Sequence, residues 1–181
     1  IKEIQAIDVA AGKLFDPLGL IDEGPDGQSP IPETALTAGL SDGLLWRALY
    51  DGQIVGFLLC RKVSPDLYLE QVSVRPDFGR RGIGRLLVAK AIHAADDLRL
   101  RGVILSTFRD VPWNGPFYAD FGFCEIDRSQ FKPWMLELEK LQAESMDVSL
   151  RCFMRRPGKW AKNWIRLPSR EKNSTKKLHN T

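Results

Sequence analysis

The chain has 181 residues, 44% hydrophobic and 27% charged, the balance of a single ordinary globular domain long enough for a sizeable core. No apolar run approaches the ~20 residues of a membrane span. Of the net charge of +3, residues 157–181 hold seven Lys/Arg against one Glu, so a basic character belongs to the C-terminal end and the remainder carries −3.

In chain order, Ile4 to Phe15 sets Ile4, Ile7, Ala11 and Leu14/Phe15 on one helical face, and Asp16-Pro17-Leu18-Gly19 stops the helix. Asp22 to Pro32 is a Gly/Pro/Asp-rich loop. Glu33 to Leu40 is a short helix with Pro32 near its start. Leu44–Tyr50, the turn Asp51-Gly52 and Gln53–Val63 read as a β-hairpin. Ser64-Pro65-Asp66 then turns into a strand, Tyr68 to Val74, in which β-branched, aromatic and polar residues alternate. Arg81 to Leu100 is a long helix, and Gly102–Phe108 is an apolar run short enough for a buried strand, expected parallel to the one before. A helix over Pro112–Asp120 ends at Gly122, followed by a strand over Phe123–Asp127, a helix over Phe131–Ser145 and a last strand over Val148–Arg155.

The informative stretch is Tyr68 to Val88, which reads as strand, glycine-rich turn, helix. Pro76 ends the strand because it removes a ladder donor. Gly79, Gly82 and Gly84 let the backbone turn tightly and approach a ligand. The helix that follows turns free N–H groups and its positive dipole end outward, a site for phosphate, with Arg80, Arg81 and Arg85 beside it. A dinucleotide fingerprint from Gly82 would need a third glycine where Leu87 stands. A Walker loop over Gly79–Gly84 would need Lys-Ser/Thr where Arg85-Leu86 stands. What remains is a phosphate cradle without a metal ligand, suited to a molecule that carries a pyrophosphate as a handle.

Val74-x-Pro followed by Arg80-Arg81-Gly82-Ile83-Gly84-Arg85-x-Leu resembles the acyl-CoA signature of the GNAT N-acetyltransferase superfamily. A second block, Asn114-Gly115-Pro116-Phe117-Tyr118-Ala119-Asp120-Phe121-Gly122-Phe123, resembles that family's later motif of Asn, then Phe-Tyr, then Gly-Phe. The resemblance spans roughly Leu44 to Pro157, with two departures. Gly79 stands where Gln or Arg is usual, and Pro116 where a small helical residue is usual. The resemblance implies an α/β (α+β) domain over residues 1–157, with a mixed central sheet of six to seven strands and flanking helices. Tyr68–Val74 would be its fourth strand, splayed from the fifth, and little of a first strand remains in Ile1–Glu3.

The same resemblance implies acetyl-CoA as co-substrate and an amine as acceptor, with transfer by direct attack in a ternary complex. Backbone groups of Val72, Ser73 and Val74 would hold the pantetheine arm, one donor near Val72 facing the thioester carbonyl. Gly79, Arg80, Arg81, Gly82, Ile83, Gly84 and Arg85 would grip the pyrophosphate, with Asn114 and Phe117 completing the cofactor site. Tyr118 would protonate the leaving thiolate; a core tyrosine packed beside Phe117 and Phe121 is the competing reading. Glu70 is the candidate general base. Two residues before Val72, it is expected on the same sheet face, with Ser73 on the other. Asn114 also fits a helix N-cap.

Acids in the loop and beside it (Asp22, Glu23, Asp26, Glu33) would attract a cationic amine, although plain solubility explains them too, and Trp113 and Phe108 would line the acceptor side. No Ser-His-Asp or Cys-His set suggests a covalent acyl-enzyme. His93 and His179 are too isolated for a metal centre, so no metal is expected. Cys60, Cys124 and Cys152, an odd and scattered set in apolar settings, read as reduced and structural, which favours a cytoplasmic protein.

A non-catalytic acyl-CoA-binding domain is the alternative function, and a homodimer is an open assembly. The basic tail, 158–181, has Trp160, Trp164 and Ile165 among its cations. Its reading as a solvated or disordered end outweighs contact with nucleic acid or membrane.

Overall fold

A computed structural model describes residues 1–22 and 29–163. Five helices, α1 (Lys2–Gly12), α2 (Glu33–Ser41), α3 (Ile83–Asp97), α4 (Gly115–Ala119) and α5 (Pro133–Gln142), flank one six-stranded mixed sheet. Its strands are β1 (Leu45–Tyr50), β2 (Gln53–Val63), β3 (Asp66–Val74), β4 (Gly102–Phe108), β5 (Cys124–Glu125) and β6 (Arg151–Pro157), in the order β1-β2-β3-β4-β6-β5. Only the β3–β4 neighbours run parallel, joined by the crossover through α3. Among the described residues no helix is long and apolar enough to cross a membrane.

The hairpin forms where Asp51-Gly52 demands it. Both residues have positive φ, 47° and 78°, as a two-residue turn matched to strand twist requires. β4 is buried on both faces, which is why its sequence runs apolar without alternation. On one face Leu67, Leu69, Leu105 and Met154 pack with Val88, Ala91 and Ala95 of α3. On the other, Ile4 and Ile7 of α1 and Leu36 of α2 cover Phe57 and Leu59. Met135 of α5, on that same side, covers Tyr68, Ile104 and Phe153.

Several boundaries depart from the expectation. Lys2 and Glu3 already belong to α1, so the stretch Ile1–Glu3 is helical and not the remnant of a strand. Val148–Leu150 is a 3₁₀ turn, because the Asp147 carboxylate accepts from the Ser149 N–H and folds the chain there, and the last strand begins only at Arg151. β5 shrinks to two residues beside β6. Of the three cysteines, all free, Cys60 and Cys152 are buried, but Cys124 is exposed and its setting is not apolar.

Beyond β6 the chain docks on the end of α3. The Lys159 N–H donates to Asp96 Oδ1 (2.9 Å), and Trp160 Nε1 donates to the Asp96 carbonyl (2.8 Å). Trp164, Ile165 and the rest of the tail lie outside the described residues. Asp96 is buried, so removing its donors strands a carboxylate. A chain ending at Pro157 is expected to be about 1–3 kcal/mol less stable than one ending at Asn163, read from urea midpoints.

Candidate active site

The β3–β4 ladder covers three residue pairs, Leu67↔Val103, Tyr68↔Ile104 and Leu69↔Leu105, and then stops. Beyond it β3 continues to Val74 against β2, while Ser106–Phe108 continue against β6. The two strands therefore diverge, and the edges of Glu70–Val74 and Ser106–Phe108 that face each other carry no strand pairing. Backbone donors and acceptors along such a gap are open to an extended ligand.

One irregularity shapes the gap. β3 pairs Leu69 with Cys60 but Gln71 with Leu59, so Glu70 is an extra residue, a β-bulge. The bulge resets the alternation. Val72 and Val74 pack toward α3 with Leu69, whereas Gln71 and Ser73 turn to α1. Glu70 goes the same way, pairing at 3.4 Å with Arg61, whose guanidinium lies over Tyr68. The expectation that Glu70 shares a face with Val72, with Ser73 opposite, is therefore wrong: Glu70 and Ser73 share the face that Val72 does not. The inserted residue shows in the sequence only as a one-residue slip of the apolar alternation, from Leu67 and Leu69 to Val72 and Val74.

At the phosphate cradle, α3 begins at Ile83 behind Gly82 (φ 82°), with no side chain capping its first N–H groups. Arg80, itself at φ 59°, Arg81 and Gly82 are exposed. Arg81 stacks on Phe78 (4.9 Å), and Arg85 lies over Phe121 (4.8 Å) and 3.6 Å from Asp120. Gly79 closes a turn by donating to Pro76 O (3.0 Å), and a Cβ there would press on that same oxygen at 3.0 Å. The turn thus accounts for glycine at a position where the resemblance leads one to expect a polar side chain. Gly84 faces Phe117 with room for a small side chain.

Tyr118 is 8% exposed and sits on the α3 face of the sheet, edge-on to Phe117 and Phe123. Its ring packs in the same core cluster as Leu69 and Leu105, the residues of the last β3–β4 pair. Burial pushes the phenol above its ordinary range, so it stays protonated. Asn114 precedes α4 but does not cap it; its Oδ1 accepts from the Thr107 hydroxyl (2.9 Å), tying the start of α4 to β4. Gly115 follows, where any Cβ would overlap the Arg109 carbonyl.

Two polar clusters missed from the sequence stand on the other face, one on each side of the gap. Asp8 of α1 accepts from Gln71 Nε2 (2.8 Å), Ser73 Oγ (3.0 Å) and the Ile31 N–H (2.9 Å). Burial raises its carboxyl above the ordinary range against the pull of those donors. Its position one turn after Ile4, on the apolar stripe of α1, was the available signal. Ser73 is thereby committed to α1 and can offer a ligand only its backbone. Across the gap, Ser106, Gln142 and Arg151 form the second cluster. Phe108 stacks with Phe15, as does Trp113, at the open end. Among the acids proposed to attract an amine, Glu23 and Asp26 lie outside the described residues.

Residues 18–123, more than half of the chain, match the acetyltransferase (GNAT) family. The fold is shared with the PaiA N-acetyltransferase of Thermoplasma acidophilum in complex with coenzyme A, at a TM-score of 0.57 and 12% identity over 86% of this chain and 91% of that one. The ribosomal-protein-S18-alanine N-acetyltransferase of Escherichia coli superposes at 0.56 with 18% identity over 75% of this chain and 83% of that one. The N-acetylglutamate synthase of Neisseria gonorrhoeae superposes at 0.63 with 15% identity over 87% of this chain but only 32% of its own length.

Proposed function

Since the chain belongs to the GNAT acetyltransferase family, we propose that it transfers an acetyl group from acetyl-CoA to a primary amine of a small molecule or peptide, by direct attack in a ternary complex. The observation that supports this most is the ladder that stops at Leu69↔Leu105, with Tyr118 packed in the core cluster of those two residues and the bare start of α3 beyond it. That arrangement fits a ligand with an extended arm, an anionic handle at one end and a reacting group at the other.

The α3 N–H groups with Arg80 and Arg81 bind the pyrophosphate, and the backbone of Val72 and Val74 binds the pantetheine arm along the open edge of β3. An N–H near Val72 polarises the thioester carbonyl. The acceptor enters from the α1/α5 face, where Glu70, directly or through a water, takes the ammonium proton. The free amine attacks the carbonyl carbon, the C–N bond forms, and the C–S bond breaks. Tyr118 gives its proton to the departing sulfur, and the proton that the new amide nitrogen sheds to solvent is matched by one that solvent returns to the phenolate. Asn114 acts by holding α4, and so Tyr118, against β4.

The test combines two measurements on the full chain. Acetyl-CoA should raise the melting temperature, and a thiol-release assay across a panel of amines should show turnover. A thermal shift with no turnover for any amine would favour the non-catalytic acyl-CoA-binding alternative. Absence of both discards the reading.

A further inference from the structure

Three arginines around this part of the sheet face a carboxylate. Arg109 grips Glu125, Arg128 grips Glu139, and Arg155 grips Asp66. Arg151 differs. Its Nε donates to Gln142 Oε1 (3.1 Å), its Nη2 donates to Ser106 Oγ (3.2 Å), and its plane lies over the Phe108 ring (4.6 Å). Its remaining contact is Nη1 at 3.5 Å from Met146 Sδ. All of these partners are neutral, and among the described residues Arg151 makes no ion pair. It is also half-buried, and desolvation weakens its hold on the proton. A guanidinium taken from water without a counter-charge is costly unless a bound anion supplies it.

Its location says which anion. Arg151 is the β6 partner of Phe108, at the end of β4 that has left β3. It stands on the face of Tyr68, Ile104 and Phe153, away from α3, so the phosphates gripped by α3 are on the other side of the sheet. Its Nη2 reaches Ser106, the first β4 residue past the point where the ladder stops, which puts a partner of Arg151 at the gap. Gln142 and Ser106 hold the guanidinium from behind, and Phe108 fixes its plane. A fork held in this way is organised for a planar carboxylate.

We infer that Arg151 binds a carboxylate of the acceptor, and that the acceptor is an amine of the amino-acid class, with its carboxylate a few bonds from its amino group. The inference rests on the transferase reading above and narrows it.

The experiment uses the full chain, acetyl-CoA and matched pairs, each an α-amino acid and the amine left by removing its carboxyl group. Within each pair, kcat/KM is expected to favour the amino acid by on the order of 10–10²-fold, the weight of a charge-assisted hydrogen bond. In Arg151→Gln that ratio should collapse toward one through a rise in KM for the amino acid, with the acetyl-CoA thermal shift retained as the check on folding. If the variant does not fold, the preference of the unaltered protein decides alone. Equal kcat/KM within the pairs, with turnover present, overturns the inference and leaves the transferase reading standing. No turnover with any amine overturns both.

Discussion

Tyr118→Phe is expected to lower kcat by about 10²–10⁴ while leaving the affinity for acetyl-CoA close to that of the unaltered protein. The argument separates the ring from the hydroxyl. The ring packs edge-on against Phe117 and Phe123 within the α3-side core, and phenylalanine fills the same space. Stability should therefore change little, which makes the variant a clean probe. The hydroxyl is what the proposed reaction needs. Burial keeps it protonated well above neutral pH, so it can act as an acid but not as a base. The sign for pH follows: because the phenol titrates above its ordinary ~10, kcat should show no falling limb from Tyr118 between pH 7 and 9. Steady-state thiol release at saturating amine, with acetyl-CoA melting shifts beside it, measures both effects. Full activity in Tyr118→Phe would reduce this residue to a packing element.

What the sequence showed and what it hid divide along a physical line. Local signals held: Asp51-Gly52 set the hairpin, the apolar run Gly102–Phe108 became β4 with the same bounds, and glycines marked the turn before α3. The divergence of β3 and β4, expected from family resemblance alone, is there in the register. What failed depended on one residue or on distant partners. The bulge at Glu70 reverses the faces of the four residues after it, Gln71 to Val74, and its one trace is a slip in the apolar alternation between Leu69 and Val72. Asp147 turned three residues of an alternating stretch into a 3₁₀ turn. Asp8 and Arg151 gain meaning only when positions 8 and 73, or 106, 142 and 151, come together.

Gly84→Asp should separate folding from ligand binding more sharply than any loss of an arginine. Gly84 lies in the first turn of α3, where a carboxylate complements the helix dipole and adds about 0.3–1 kcal/mol of stability. A Cβ there meets only Phe117 Cζ at 3.8 Å and Val74 Cγ2 at 4.0 Å, ordinary contacts, so the substitution fits. The same charge occupies the place proposed for the pyrophosphate. Two like charges about 5 Å apart in a medium of effective dielectric ~20 repel by roughly 3 kcal/mol. The affinity for acetyl-CoA should then fall by on the order of 10²-fold relative to Gly84→Asn, which has the same shape and no charge. The melting temperature of the unliganded Asp variant should be equal or higher. Added salt should narrow the gap between the two variants, since the repulsion is partly exposed and the Debye length is about 10 Å at 0.1 M. Titration calorimetry with acetyl-CoA at two ionic strengths measures this. Equal affinity in the Asp and Asn variants would mean that the phosphates do not sit at the start of α3, and the reading of the glycine-rich turn as an anion cradle would go with it.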